Sequence, residues 1–278
     1  MATGPELRIG SCSFTASGWE KTFYPIGMKE SGRIGFYSQQ YNSVEIDATF
    51  YGAPRLETVR RWYEESSPGF TFACKIPQVI THEKCMVNCE EDLSAFLNSM
   101  DGLNEKLGPM LFQFPYYSRN KFSRVEQFLE RFKPFVATLP NGYRFAVELR
   151  NKDWITPQLL DVLRERNLSL ALIDHPYMPR PLELMSKADM ITGDFAYLRL
   201  LGDRYAIEQQ TKSWHQTVLD RSQEIAEWAA VIERLREMKV PIYTFVNNHF
   251  AGHSPATIRE LLDKLAQRTN SKRVEAAG

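Results

Sequence analysis

Eight short apolar runs recur along the chain, and stretches with helical character separate them. The runs are too short for helices and are rich in Val, Ile, Leu, Phe or Tyr, which is typical of buried parallel strands. Eight strands that alternate with helices in 278 residues predict a (β/α)8 TIM-like barrel. We expect a single barrel domain over residues 1–269 and a polar C-terminal tail over 270–278. The runs are Leu7–Ser13, Ser43–Phe50, Phe70–Ile76, Met110–Phe114, Arg144–Leu149, Leu168–Asp174, Phe195–Leu201 and Ile242–Asn247.

The stretches between the runs carry helix signals. Thr156-Pro157 and Ser254-Pro255 each place a hydroxyl N-cap residue before proline at the first helical position. Ser123 and Glu126 match a capping box. Apolar stripes predict further helices over 54–65, 93–107 and 214–238. A doubly wound sheet is the competing fold, but the cofactor-binding versions need a Gly-rich turn after the first strand, which this chain lacks, so the barrel is favoured.

Composition excludes several classes of protein. Lys plus Arg and Asp plus Glu each total 34, so the net charge is zero, which argues against a basic coat for duplex nucleic acid. Four cysteines are too few for a disulfide framework. Cys85 and Cys89 lack the further ligands that zinc or an iron–sulfur cluster requires. No signal-like segment or long apolar stretch is visible, so we expect a cytoplasmic protein without a membrane span.

Polar residues gather near the predicted strand ends, where barrel enzymes carry their sites. In strand 2, Glu45 and Asp47 alternate with Val44 and Ile46, and the apolar set should face the helices. Glu45 and Asp47 should then point into the barrel. The same phase predicts an inward ring that also contains Lys75, Gln113, Glu148, Arg150 and Arg199. Asp174 is expected to face this ring from the end of strand 6, with Asn247 and Asn248 beside it.

This ring has a functional and a structural interpretation. We predict Glu45, Lys75 and Glu148 as catalytic residues, since opposed charges separate the pKa values of two carboxylates. Structurally, Glu45–Lys75 and Glu148–Arg199 could instead be compensating core pairs, and Asp47 a hydrogen-bonding group within its strand. The predicted substrate-binding residues include three loop aromatics that could stack on a sugar or a base. They are Trp19, Tyr51, His82, Gln113, Arg150, Trp154, Asp174, Arg199, Asn247 and Asn248.

Motifs in a fixed order support a family resemblance from about Arg8 to Leu265. The chain resembles the YecE-like family, proteins of unknown function for which the resemblance implies a TIM barrel. His175 and His249 are not assigned to the family pattern. The matching residues are Gly10-x3-Phe14, Ser17-Gly18-Trp19, Phe23-Tyr24-Pro25, Val44-Glu45-Ile46, Thr49-Phe50-Tyr51, Phe72 to Lys75 with Pro77, Thr81-His82, Leu107-Gly108-Pro109, Gln113-Phe114-Pro115, Glu148-Leu149-Arg150, Trp154, Asp174, Leu198-Arg199, Gly202, Tyr205 and Asn247-Asn248.

Three functions fit these residues. The favoured hypothesis is a metal-independent enzyme, without a cofactor, that uses carboxylate acid/base chemistry on a small polar or anionic sugar or phosphate-bearing substrate. The second is a metal-dependent hydrolase of phosphodiester type, although three cations in the ring would repel a divalent ion. Its ligands would be Glu45, Glu148, Asp174, His82 and His249. The third is a non-catalytic ligand binder or a single-stranded nucleic-acid binder, which the zero net charge disfavours.

Overall fold

A computed structural model describes the backbone of residues 6–277 and the side chains of residues 6–270. Within that range the chain folds as the predicted (β/α)8 TIM-like barrel, with eight parallel strands. The strands are β1 (Leu7–Ser11), β2 (Ser43–Ile46), β3 (Thr71–Lys75), β4 (Leu107–Gln113), β5 (Phe145–Glu148), β6 (Ser169–Asp174), β7 (Ala196–Leu200) and β8 (Ile242–Val246).

Nine α-helices cover the described part of the barrel. The bounds are α1 (Arg33–Gln40), α2 (Leu56–Glu65), α3 (Glu90–Met100), α4 (Val125–Ala137), α5 (Pro157–Glu165), α6 (Pro181–Lys187), α7 (Arg204–Glu208), α8 (Ser222–Glu237) and α9 (Ser254–Ala277). The predicted boundary at residue 269 falls inside α9, so the backbone of the expected tail is helical to Ala277. The side chains from residue 271 onward, and Gly278, lie outside the described residues.

Side chains close the seam between β1 and β2, where no backbone ladder joins the two strands in the described residues. Asn42 accepts a hydrogen bond from Ile9 N at 2.8 Å and donates one to Leu7 O at 2.9 Å. A Cβ on Gly10 would lie 1.8 Å from the Ser43 carbonyl oxygen, so only glycine permits this approach. The barrel therefore closes through side-chain hydrogen bonds at one seam.

The strands separate two apolar cores, as the period of two predicts. Val44, Phe72 and Phe112 belong to the large core between strands and helices. A smaller core fills the barrel itself and includes three alanines, which fit the crowded interior. Its members are Cys12, Ala73, Leu111, Ala146, Ala171, Ile173, Phe195, Tyr197, Leu201, Tyr243 and Phe245.

Strand 2 is shorter than predicted. It ends at Ile46, and Asp47–Tyr51 form a 3-10 turn. The hydroxyl of Thr49 donates to Ile46 O at 2.8 Å and lies 2.7 Å from Lys75 O, which folds the chain back over the end of β3. The predicted alternation through Phe50 is therefore wrong after Ile46, and Asp47 reaches the barrel mouth from a turn rather than from a strand.

Two predicted helix starts change, and a third holds. Ser123 N and its hydroxyl bond to Gln127 Oε1 at 2.7 and 3.0 Å, so Gln127 takes the part expected of Glu126. Thr156 caps α5 as predicted, because its Oγ1 accepts from Leu159 N. The helix predicted from residue 214 begins only at Ser222, and residues 209–221 form an irregular loop, here called the strap.

One predicted helix ends early. The helix predicted over 93–107 ends at Met100, and a 3-10 segment over Asp101–Lys106 follows it.

The described cysteines are all buried free thiols, as expected for a chain without a disulfide framework. Among the described helices, none combines the length and the apolar character that a membrane crossing would require.

Candidate functional site

A buried charged array lies inside the barrel at the carboxyl ends of the strands. Arg199 of β7 donates from Nη2 to Glu45 Oε1 and from Nη1 to Glu148 Oε2, both at 2.6 Å. The hydroxyl of Tyr197 donates to the second oxygen of Glu45 at 2.6 Å. One guanidinium thus ties together β2, β5 and β7, and we call Glu45, Glu148, Tyr197 and Arg199 the buried array.

The two carboxylates of the buried array titrate in opposite directions. Burial would raise the pKa of Glu148, but the nearby Arg150 and Arg199 lower it to about 2. Burial raises the pKa of Glu45, and neighbouring Asp47 adds to this effect, while Arg199 opposes it. Burial and the neighbouring charges thus shift the two pKa values in opposite directions, with Glu148 as the more firmly ionised group.

The buried array is sealed from solvent, and a second pair of charges lies above it. Glu45 and Glu148 have no exposed surface, and Arg199 is 2% exposed. The Asp47 side chain is 33% exposed; its Oδ1 lies 3.2 Å from Arg199 Nη2 and 3.5 Å from Lys75 Nζ. Lys75 Nζ also donates to Gln113 Oε1 at 3.3 Å and lies 4.2 Å above the ring of Phe50. Asp47 is therefore the most exposed charge of this group, and Lys75, with 10% of its side chain exposed, lies between Asp47 and Gln113.

A cavity of about 1660 Å³ opens beside this pair, between the loops that follow β4, β5 and β6. Four of the polar residues that line it lie at or just after consecutive strand ends, and we call them the cavity floor: His82, Gln113, Arg150 and His175. Arg150 Nη2 lies 2.5 Å from Glu148 Oε1, in an ion pair without hydrogen-bond geometry. The buried Arg150 Nε has no hydrogen-bond partner among the described residues.

Both histidines of the cavity floor are neutral at pH 7. Burial and the positive charges of Lys75 and Arg150 lower the pKa of His82 to about 4. Burial and Arg150 lower the pKa of His175 to about 4 as well. His82 Nδ1 already bonds to the Thr81 hydroxyl at 2.8 Å. Each imidazole can thus offer hydrogen bonds to a ligand without carrying charge.

One cluster in the described residues has donors spaced for a metal ion. The potential ligand atoms of Cys12, Glu45 and Asp47 lie within 4.8 Å of one another. However, Arg199 already bonds to both carboxylates, and its guanidinium would repel a divalent cation. Burial raises the pKa of the Cys12 thiol, so its thiolate form is disfavoured. These residues suit a guanidinium better than a metal ion.

The ligand set that was considered for a metal hydrolase does not assemble. Asp174 lies in phase with Leu170 and Leu172, on the outward side of β6, and pairs with Arg221 at 3.1 Å. His249 bonds to Asn247 Oδ1 at 2.6 Å and to Glu208 Oε1 at 3.1 Å. The prediction that Asp174 faces the ring is therefore wrong, because the ring-facing phase of β6 passes through Ile173 to His175.

Asn247 and Asn248 serve as caps in this structure. Asn247 Oδ1 accepts from His249 N at 3.0 Å, at the start of the 3-10 turn over Asn248–Phe250. Asn248 Oδ1 accepts from the backbone N and the hydroxyl of Ser254, at 2.9 and 3.0 Å, at the start of α9. Their side-chain oxygens are thus engaged by the loop that follows β8 rather than presented to a ligand.

Of the three predicted aromatics, only Tyr51 is exposed. Trp19 is buried and meets Phe23 edge-on with ring centroids 5.3 Å apart. Trp154 lines one wall of the cavity but is otherwise buried, and it stacks on Tyr117 at 5.9 Å. Neither tryptophan offers an open ring face for stacking, since each is enclosed by other aromatic side chains.

Sequence reasoning assigns no site role to three residues of the site, although it points one of them, Asp47, into the barrel. The only sequence signal for Tyr197 is its position two residues before Arg199, which places both side chains on the same face of β7. Asp47 was considered for a strand interior, but the turn after β2 brings it to the mouth. His175 follows Asp174 directly, and the alternation of β6 would have identified it as the inward residue.

Comparison with known proteins identifies the family. The family described as "Protein of unknown function DUF72" matches residues 8–277. The chain belongs to this family. The UPF0759 protein YecE of Escherichia coli K12 is 28% identical over 116 residues, which cover 41% of this chain and 40% of that protein. The UPF0759 protein YunF of Bacillus subtilis 168 is 24% identical over 270 residues, which cover 90% of this chain and 93% of that protein. The resemblance to the YecE-like family is thus confirmed.

Solved structures support the fold. A DUF72 family protein from Thermotoga maritima matches with a TM-score of 0.70 and 23% identity, over 95% of this chain and 99% of that one. A DUF72 family protein from Enterococcus faecalis matches with a TM-score of 0.69 and 23% identity, over 94% and 95%. A D-tagatose 3-epimerase-like protein matches with a TM-score of 0.56 and 12% identity, over 84% and 91%. At these identities the likeness concerns the fold alone.

Proposed function

We propose that this DUF72 protein is a metal-independent enzyme that performs acid/base chemistry on a small polar or anionic substrate in the cavity. The supporting observation is the difference in exposed fraction among the charged side chains of the site. The Asp47 side chain is 33% exposed and the neighbouring Lys75 side chain 10%, while Glu45, Glu148 and Arg199 lie sealed beneath them. A partly exposed carboxylate with a lysine beside it, both held by a sealed ion-pair array, supplies a positioned acid and base for such chemistry.

Asp47 and Lys75 act on the substrate in this proposal. The Asp47 carboxylate accepts a proton, and the Lys75 ammonium, 3.5 Å away, donates one or stabilises the negative charge that develops. Glu45 and Glu148, the carboxylates first predicted as catalytic, are positioning residues here. They hold Arg199, whose Nη2 in turn lies 3.2 Å from Asp47 Oδ1 and fixes that carboxylate.

The cavity floor binds the substrate. Arg150 supplies a cation at the cavity lining, which suits a carboxylate or phosphate group. Gln113 and the neutral imidazoles of His82 and His175 supply hydrogen bonds for hydroxyl groups. These groups together favour a sugar or sugar derivative over an apolar ligand.

Turnover of a defined panel tests this proposal. Monosaccharides, sugar acids and sugar phosphates are incubated with chelator-treated protein in D2O, and proton NMR follows conversion and deuterium uptake. We expect at least one compound to react. Lys75→Met and Asp47→Asn should each lower that rate by about 10²- to 10⁴-fold with little change in the free energy of unfolding.

A surface pair of the same residue types provides the matched control. Lys84 Nζ lies 2.6 Å from Asp92 Oδ2, outside the cavity lining, so Lys84→Met should leave the rate unchanged. Activity that disappears on chelation and returns with a stoichiometric divalent ion would favour the metal hydrolase instead. Full activity in both Lys75→Met and Asp47→Asn would refute the assigned roles of Asp47 and Lys75.

A further inference from the structure

The exposed aromatic side chains of the described residues are all tyrosines, and all four lie at the mouth of the barrel. They are Tyr51, Tyr116, Tyr177 and Tyr205, between 69% and 79% exposed, in segments that follow β2, β4, β6 and β7. Aromatic rings are costly to leave in water, and elsewhere in the described chain they are at least partly buried. Four such rings at one end of the barrel mark a binding surface.

The cavity is also larger than the acid/base site needs. At about 1660 Å³ it exceeds the roughly 300–1,000 Å³ typical of a small-molecule pocket. Tyr116 and Tyr177 line it from the loops after β4 and β6. These strands are two positions apart, about 10 Å at the barrel, which is wider than one pyranose ring. The cavity therefore extends beyond a single sugar unit.

We propose that the exposed tyrosines dock a carbohydrate chain of two or more sugar units, whose terminal unit occupies the cavity floor. This inference rests on the proposed function, because it supplies the remainder of the substrate that reacts at Asp47 and Lys75. A tyrosine presents a ring face with negative charge density to the C–H groups of a sugar, and its hydroxyl can bond to sugar hydroxyls. Tyr116 and Tyr177 provide the inner platform, and Tyr51 and Tyr205 lie on either side.

The charges of the cavity favour a carbohydrate over a nucleic acid strand. Arg119, Arg124 and Lys152 line the cavity without a partner among the described residues, but Glu126 and Asp153 are interspersed with them. The remaining cations are paired, Arg150 with Glu148 and Lys187 with Glu183. A polyanion would require a continuous basic track, which this lining lacks. The tyrosines also stand singly on separate segments, unlike the contiguous apolar patch of a protein interface.

Binding measurements test the inference without depending on turnover. Tetrasaccharides of glucose, xylose and N-acetylglucosamine and the matching monosaccharides are titrated by calorimetry into wild-type and Lys75→Met protein. We expect at least one tetrasaccharide to bind at least tenfold more tightly than its monosaccharide to both proteins. Tyr116→Ala and Tyr177→Ala should each weaken the tetrasaccharide about three- to tenfold and leave the monosaccharide within about twofold.

Leu262→Ala provides a control, since Leu262 is 39% exposed on α9 and lines a different, shallow groove. It should change neither affinity. Equal affinities for tetrasaccharide and monosaccharide would overturn the inference, as would tyrosine variants that weaken both ligands equally. Tighter binding of a dT12 strand, with a steep salt dependence, would assign the tyrosines to nucleic acid instead. Loss of turnover in Lys75→Met with tetrasaccharide binding retained would show that docking is separate from catalysis. If Lys75→Met keeps full turnover, the catalytic role of Lys75 is refuted, and the calorimetric affinities still show whether the tyrosines dock a carbohydrate chain.

Discussion

The mouth of the barrel has two halves that use polar residues differently. Over β7, β8 and β1, the strap of residues 209–221 covers the barrel. Trp214 N donates to Ser17 O at 2.9 Å, and Val218 N donates to Ala251 O at 2.8 Å. Over β3 to β6, by contrast, the loops stand apart around the cavity. We refer to these as the covered half and the open half.

The difference separates structural from functional polar groups. In the covered half Asn247, Asn248 and His249 bond to neighbouring backbone or side chains. In the open half Arg150 leaves a buried donor unused, and at its edge, after β2, Asp47 remains partly exposed. A strand-end position alone therefore does not indicate a ligand-binding role; the loop above it decides whether the polar group meets protein or solvent.

The largest expected effect concerns the buried array, which supports both halves. Arg199→Met should lower the free energy of unfolding by about 3–5 kcal/mol, because Glu45 would remain buried without its cation and Glu148 would keep only Arg150. Arg150→Met in the open half should cost much less, since its head group is partly exposed and only one pair is lost. Urea unfolding of both variants measures the difference. Similar losses would mean that the sealed array and the cavity floor are not energetically distinct.

The inward direction of four charged side chains could be predicted from sequence because it depends on local alternation along each strand. Glu45, Lys75, Glu148 and Arg199 each alternate with apolar residues that the helices cover, so the period of two determines their direction. Asp174 shows where this reasoning fails, because it lies in the outward phase of β6. A position at a strand end therefore predicts a site residue only when the phase of the strand also points inward.

Loop residues could not be placed in the same way. The burial of Trp19 depends on Phe23, Tyr24 and His253, and His253 is far away in sequence. The exposure of Tyr116 and Tyr177 likewise depends on loops whose paths no local pattern specifies. The sequence therefore predicted that aromatic residues would serve the mouth, but it identified mainly the buried ones.

A second, smaller effect tests the covered half through its glycines. Gly18 has φ 95°, and a Cβ there would lie 2.5 Å from the Ser213 hydroxyl of the strap. Gly142 has φ 93°, and a Cβ there would have no neighbour within 4 Å. Both alanine variants carry the same backbone strain of about 1–2 kcal/mol. Gly18→Ala should cost about 1–3 kcal/mol more than Gly142→Ala, because the strap must also move.

Thermal and urea unfolding of the two glycine variants measure this difference, and limited proteolysis reports on the strap. Gly18→Ala should expose residues 209–221 to cleavage, whereas Gly142→Ala should not. Equal stability and equal proteolysis would show that the strap does not depend on close packing against Gly18.

The smallest expected effect is the pH dependence of the open half. His82 and His175 have a pKa of about 4 in the folded chain, below the value of about 6.5 for an unfolded histidine. Between these values the unfolded state binds more protons, so the free energy of unfolding should fall as the pH is lowered from 6.5 to 4. Each contribution should stay below about 1 kcal/mol, since both rings keep contact with water.

Glu148 should act in a separate and lower window. Its pKa is about 2 in the folded chain, so the stability that it contributes is lost only as the pH falls from about 4.5 toward 2. His175→Gln should therefore reduce the slope of stability against pH between 6.5 and 4 and leave the steeper acid loss in place. NMR titration of the imidazole protons checks the histidines directly, and inorganic phosphate bound at Arg150 should raise both values. If both histidines titrate near 6.5 with and without phosphate, the cavity floor is as open to water as the protein surface. The buried array and the cavity floor would then not differ from each other in the way proposed here.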